Sequence, residues 1–224
     1  RQVDDAAMNE GRTAAYLARR RQVWEYVLCE LGTWDEQVVG CGRFMGTTSY
    51  RDDFYYQRDA PTAGAEIVRI DLATGDAEVV LALPPDHPYL GSTTVTPDGR
   101  YLAHGVHLSY SPQRFGIALI DLQTGDRRVI CEDPYVCNPH VQFHPSDGRT
   151  LLVQQNRGCT FAPDGTRVRL QGDEGTTLFL LDAFTGTRTP LAVGVPYTPP
   201  VTGHETWLGS SPDVILTVGA RDRY

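Results

Sequence analysis

The stretch that decides the fold is Ile67–Val80, IVRIDLATGDAEVV. Val68, Ile70 and Leu72 alternate with Ile67, Arg69 and Asp71, the two-residue period of a strand. Asp71-Leu72-Ala73-Thr74-Gly75 then makes a turn. Aspartate bonds back to its own backbone and glycine supplies a positive φ, so Asp-x-x-Thr-Gly joins two antiparallel strands. The chain repeats the unit as Tyr26–Val39 (YVLCELGTWDEQVV), Ile117–Ile130 (IALIDLQTGDRRVI) and Leu178–Leu191 (LFLLDAFTGTRTPL). The marker residues Thr33, Thr74, Thr124 and Thr185 lie 41, 50 and 61 residues apart, which is the signature of an array of supersecondary units. The first copy departs from the rest at Trp34, where the others have glycine.

Working outward, each copy gains flanking strands. The units span about 1–41, 42–83, 84–131 and 138–192, with a fifth beginning at 201–224. In the second, RFMGTTSY, DDFYYQRD, AEIVRIDL and AEVVLAL read as four strands; the third and fourth repeat the scheme. Residues 9–41 contain good helix formers and also read as an amphipathic helix. However, Asn9-Glu10-Gly11-Arg12 precedes its apolar run as Pro97-Asp98-Gly99-Arg100 precedes a later one, which favours strands at 13–19, 23–30 and 36–41. The polar insert 159–175 reads as a surface loop or an extra hairpin. Tandem four-stranded antiparallel units describe an all-β chain, a single β-propeller domain over 1–224 in which each blade buries its faces against its neighbours. A β-sandwich leaves the fourfold copy unexplained. Propellers have about 4–8 blades; four and a half here imply an incomplete ring, as in a fragment of a larger propeller.

Composition narrows the classes. The net charge of −8 argues against nucleic acid as the partner. No signal peptide and no run of eighteen apolar residues is present, so neither export nor a membrane is expected. The cysteine count of five is odd and contains no CxxC spacing, which reads as free thiols in a reducing, cytoplasmic setting.

The innermost strand of each blade lines a propeller's channel. In the third unit Ser92, Thr94 and Thr96 share that face. In the fourth, His140, Gln142 and His144 share it, while Val141 and Phe143 point into the blade packing. Gly203-His204-Glu205-Thr206-Trp207 aligns with this strand, Trp207 on Phe143 and His204 on His140. Imidazoles with an amide suit Mn, Fe, Ni or Zn, and a neutral imidazole is also the common general base. Inner-strand histidines equally serve to bond backbone or water. Other candidates are weaker. Asp52 and Asp53 are strand neighbours that diverge, Arg19-Arg20-Arg21 reads as a hairpin tip, and His104 and His107 face opposite sides. His87 sits on a loop that could touch substrate. Ser109-Tyr110-Ser111-Pro112 lacks the glycines of a nucleophile elbow.

NPHVQFHPSDG followed by GHETW resembles the oligogalacturonate lyase family of seven-bladed propellers, whose strands read Asn-x-His-x-Gln-Phe-Ser-Pro and Gly-His-Glu-Phe-Trp. The specific motifs lie in about 138–210. The resemblance implies Mn-dependent β-elimination on short oligogalacturonides. On the resemblance His140 would be the base, His204 a ligand of the divalent metal and Arg114 the neutraliser of the substrate carboxylate. Apart from it, Gln142 and His144 on the same face read as further metal ligands, and Arg157 and His87 as sugar contacts. The chain departs from the pattern at His144, at Thr206 and at Gln155-Asn156-Arg157-Gly158, where the family has Cys-His-Glu-Gly. The alternative is a non-catalytic propeller binding a protein or glycan through one face; a propeller hydrolase or epimerase is a further reading.

Overall fold

The computed structural model describes residues 2–3, 23–48, 50–61, 64–85, 87 and 90–219. The strand expected at 13–19 and the arginine tip at 19–21 lie outside them. The described residues are all-β, and their sheets are the antiparallel blades of a β-propeller. None forms a helix long and apolar enough to cross a membrane. The chain divides into two units, Arg1–Leu90 and Gly91–Tyr224.

The first unit is one antiparallel sheet in sequence order: β1 (Gln2–Val3), β2 (Val23–Cys29), β3 (Glu36–Thr48), β4 (Asp53–Asp59), β5 (Ala65–Asp71) and β6 (Ala77–Leu83). A break between strands was expected at 41–42, but β3 runs straight through it. Its glycines explain why. A Cβ on Gly40 would lie 3.0 Å from the Tyr56 ring, and one on Gly42 2.4 Å from the Gln57 carbonyl oxygen. The strand is therefore pressed flat against β4, and Tyr26, Phe54 and Tyr56 pack around it over Val68 and Ile70.

The second unit holds the third blade, β7 (Thr93–Val95), β8 (Tyr101–Tyr110), β9 (Gln113–Asp121) and β10 (Arg127–Asp133). The fourth blade begins with β11 (Gln142–Phe143) and β12 (Thr150–Asn156). The insert forms a separate hairpin, β13 (Thr160–Phe161) and β14 (Arg167–Arg169). The blade resumes with β15 (Thr176–Asp182) and β16 (Arg188–Pro190). A last hairpin, β17 (Val201–Trp207) and β18 (Val214–Val218), joins the same sheet through Thr176 and Val201. Ala103, Phe115, Ile117 and Leu119 of the third blade pack against Phe143, Leu151, Val153, Phe179 and Leu181 of the fourth. Each such side chain contributes about 1.5–3 kcal/mol on burial. Thr94 was expected to face a channel. It is instead buried, and its hydroxyl accepts the Phe143 N–H at 3.0 Å, tying β7 to β11.

The repeated turn works as its sequence implies. Asp71 Oδ1 accepts the amides of Ala73 and Thr74, Asp121 Oδ1 those of Gln123 and Thr124, and Asp182 Oδ1 those of Phe184 and Thr185. Gly75, Gly125 and Gly186 all take positive φ. In the first copy Trp34 occupies that left-handed position at φ 64°, a conformation that a side chain disfavours. In the last two copies an arginine just ahead of the preceding strand closes the motif. Arg100 meets Asp121 at 3.0 Å and Arg149 meets Asp182 at 2.6 Å.

Two outcomes follow for stability. Partial burial raises the Asp182 pKa, but the Thr185 amide, the Arg149 guanidinium and the Phe184 amide outweigh it and hold the carboxyl down at about 2. A depressed folded value means the stabilisation is complete above the unfolded value near about 4 and is lost as pH falls through about 2. Asp182→Ala is expected to cost about 1–2 kcal/mol at neutral pH, and the gap to wild type in urea titrations closes between about pH 4 and pH 2. The second outcome concerns Gly203, at φ 73°, where a Cβ would lie 2.7 Å from Gln154 Oε1 on β12. Gly203→Ala combines a left-handed backbone with a clash and should lower stability by about 1–3 kcal/mol in the same titration.

Candidate functional site

Asn138 and Pro139 lead into β11. Pro139 is buried against β8, which is possible because position 105 is glycine: a Cβ there would sit 2.8 Å from Pro139 Cγ. The Pro139 carbonyl accepts the Gln154 amide at 2.8 Å, which fixes the entry to the strand. The backbone then kinks. His140 takes φ 43°, in the left-handed region. An alternating strand through 140, 142 and 144 was expected, but β11 covers only Gln142 and Phe143. His140 therefore reaches its position by this kink, at a conformational cost of about 1–3 kcal/mol that the anchored Pro139 and Phe143 on either side must hold.

The kink places the imidazole in a polar cluster. Asn138 Nδ2 donates to His140 Nε2 at 2.9 Å, and Nδ1 lies 3.6 Å from Glu205 Oε1. An amide N–H can only donate, so Nε2 accepts and the neutral ring carries its proton on Nδ1, toward the carboxylate. The Glu205 side chain is 0% exposed. Its Oε2 accepts the His204 amide at 3.1 Å, whereas its Oε1 has no hydrogen-bond donor. A buried carboxylate oxygen in that state is costly without a cation or donor. The group facing it is His140. The His204 ring centroid lies 6.5 Å from that of His140, so the structure does bring these two together.

Amides from β12 support the cluster from beneath. Buried Gln154 donates through Nε2 to the Asn138 carbonyl at 3.2 Å and to Asn156 Oδ1 at 3.0 Å. Gln142 donates to the Glu205 carbonyl at 2.6 Å and accepts the Trp207 indole N–H on its own carbonyl at 3.2 Å. Its amide thus pairs the fourth blade with β17.

The remaining candidates lie elsewhere. His144 has both ring nitrogens engaged: Nδ1 accepts from Ser146, and Nε2 contacts the Ser211 carbonyl at 3.2 Å, with the ring edge-on to Trp207. Arg114 is half exposed and pairs with Glu132 at 2.6 Å. Arg157, one residue beyond Asn156, pairs with Glu174 and lies over the Tyr135 ring. His87 belongs to the first unit, where its amide donates to the Pro84 carbonyl.

Among the described residues no group of three or more His, Cys, Asp or Glu is placed to hold a metal ion. The His144 nitrogens are occupied, and the Gln142 amide is spent on backbone. Glu205, Asn138, Gln154 and Asn156 were not singled out from the sequence. Alternation in β17 carried a signal for the first. Gly203, Glu205 and Trp207 share the buried face, so a carboxylate there required a partner.

No family model and no curated protein matches the chain. Among solved structures it is similar to an oligogalacturonate lyase in complex with manganese, with 18% identity, a TM-score of 0.45 and coverage of 81% of this chain and 61% of that one. TolB from Acinetobacter baumannii gives 17% identity and a TM-score of 0.44, covering 74% of this chain and 48% of that one. The β-propeller domain of the Trilobed protease from Pyrococcus furiosus gives 15% and 0.46, covering 80% and 49%. The chain thus spans about half to three-fifths of the length of these proteins. At such identities and scores the likenesses carry no argument about chemistry.

Proposed function

We propose that the chain is part of a lyase-like propeller that binds short acidic, uronate-containing oligosaccharides and cleaves them by β-elimination. The observation that supports this reading best is the cluster around His140: a kinked histidine backed by buried Glu205 and held by Asn138, in the segment that carries the family-like motif. In this scheme Nε2 is the base. It exchanges its Asn138 contact for the proton α to the uronate carboxylate, a carbon–carbon double bond forms as the bond to the leaving sugar oxygen breaks, and that oxygen takes a proton from water as it departs. The imidazolium so produced stands beside the Glu205 carboxylate, which stabilises it. Asn138 holds the ring, and buried Gln154 and Asn156 brace Asn138 from β12. Arg157 follows Asn156 directly, and in this scheme it exchanges its Glu174 pair for the substrate carboxylate.

The arrangement of cations favours a second reading. Arg114 is engaged by Glu132, and among the described residues no arginine bonds within the cluster. An amide-rich site of this kind also suits a propeller that binds a glycan without cleaving it.

One experiment separates the two. Short oligogalacturonides are incubated with the protein, and the ultraviolet absorbance of the unsaturated product is followed alongside calorimetric binding. The lyase reading predicts product formation that falls about 10²–10⁴-fold in His140→Ala. Binding without product assigns the glycan-binding role, and neither binding nor product overturns both.

A further inference from the structure

We infer that the insert between β12 and β15 is a second carboxylate-binding subsite, in which Arg167 and Arg169 take a further uronate of a longer oligosaccharide. The inference rests on the reading of the His140 cluster as a uronate site.

The topology puts the insert at that site. β11 and β12 are antiparallel, with Gln142 opposite Leu152, so the chain entering β11 at Asn138–His140 lies at the end where β12 leaves the blade. There the Gln154 N–H donates to the Pro139 carbonyl and the Asn156 N–H to the Tyr135 carbonyl, each at 2.8 Å. Residues 157–175 depart from that end and return to it, since Asn156 stands opposite Thr176. Gln171 Nε2 donates to the Val201 carbonyl at 3.3 Å, three residues before His204. The third blade joins the equivalent strands, β8 and β9, by the short turn at Ser111–Pro112, so the insert is an addition to the repeat.

The hairpin is anchored on that neighbouring turn. Phe161 stacks on Tyr110 at 5.7 Å and packs against Phe115 at 5.1 Å, and its N–H donates to Gln113 Oε1 at 3.0 Å. A Cβ on Gly165 would lie 2.5 Å from the Tyr110 ring. On this support Arg167 and Arg169, two apart on β14, share one face, and both are exposed. Like charges so placed repel each other. Among the described residues neither pairs with a carboxylate, although the chain holds 28 acids against 20 bases. The acids of the insert are placed otherwise: Asp164 accepts the Thr166 amide, Glu174 pairs with Arg157, and Asp173 meets neither arginine. Arg169 Nε donates to the Gly158 carbonyl at 3.0 Å, which holds it beside the residue that follows Arg157. A guanidinium fork matches a carboxylate with two parallel hydrogen bonds. With Arg157 on the uronate at the His140 cluster, Arg169 and then Arg167 follow along the insert, in reach of the carboxylate that the next uronates of a chain would carry.

The test is calorimetric binding of a galacturonate dimer and a tetramer to the full chain in the His140→Ala background, which halts turnover. The tetramer is expected to bind about tenfold tighter than the dimer at low salt, and the gain to shrink as salt rises. Arg167→Gln, which removes a side chain without a hydrogen bond among the described residues, lowers the gain; combined with Arg169→Gln it abolishes it. Arg51→Gln combined with Arg127→Gln removes the same charge elsewhere on the surface and leaves the gain intact. Equal affinity for the two lengths, a gain that survives both insert substitutions, or a gain lost equally in the Arg51 and Arg127 control would overturn the inference. Cleavage by the wild-type chain separates the two levels of failure. A dimer cleaved with no gain for the tetramer sinks the subsite alone, whereas neither length bound nor cleaved sinks the uronate reading with it.

Discussion

The apolar layer between the third and fourth blades governs the second unit. A four-stranded blade has two faces and cannot hide either alone. Phe115, Ile117 and Leu119 meet Phe143, Leu151, Val153 and Phe179 across that layer, and the contact sets where β11 must lie. Once Phe143 is buried and its amide is held by Thr94, and once Pro139 is seated against Gly105, only His140, Val141 and Gln142 separate two fixed points. The left-handed kink at His140 is the consequence. The candidate site is thus a by-product of packing rather than of strand alternation.

This explains what the sequence revealed and what it hid. The repeat was legible because every copy solves the same local problem. An acid caps the turn amides and a glycine takes the positive φ, so Asp71, Asp121 and Asp182 could be matched by eye. The pairing of His140 with His204 was legible for the same reason, since equivalent positions of adjacent hairpins converge. The conformation of His140 was not, because alternation assumes an extended chain and the kink arises from the contact of Pro139 with Gly105, 34 residues upstream of it. Nor was the continuity of β3. Gly40 and Gly42 resemble a break in sequence, yet they serve there as the surface on which Tyr56 packs.

Electrostatics sharpen the contrast between the histidines. Three occur near the fourth blade and β17, and they do different things. His144 is a pin between Ser146, Ser211 and Trp207, with no nitrogen to spare. His140 accepts a neutral amide on one side and faces a buried carboxylate on the other. His204 is on the exposed face of its strand, close to His140. Spacing alone grouped His144 with the site; the hydrogen-bond inventory separates it. The same inventory replaces Gln142 as a ligand by Gln142 as a brace, and brings forward Glu205 as the charge around which the cluster is built.

The most direct test of this account is a long-range proton–nitrogen NMR spectrum of the six histidine rings, recorded as a short oligogalacturonide is added. The account predicts that the His140 and His204 rings shift together while His144 stays in place. Shifts at His144 with His140 and His204 unmoved would contradict it.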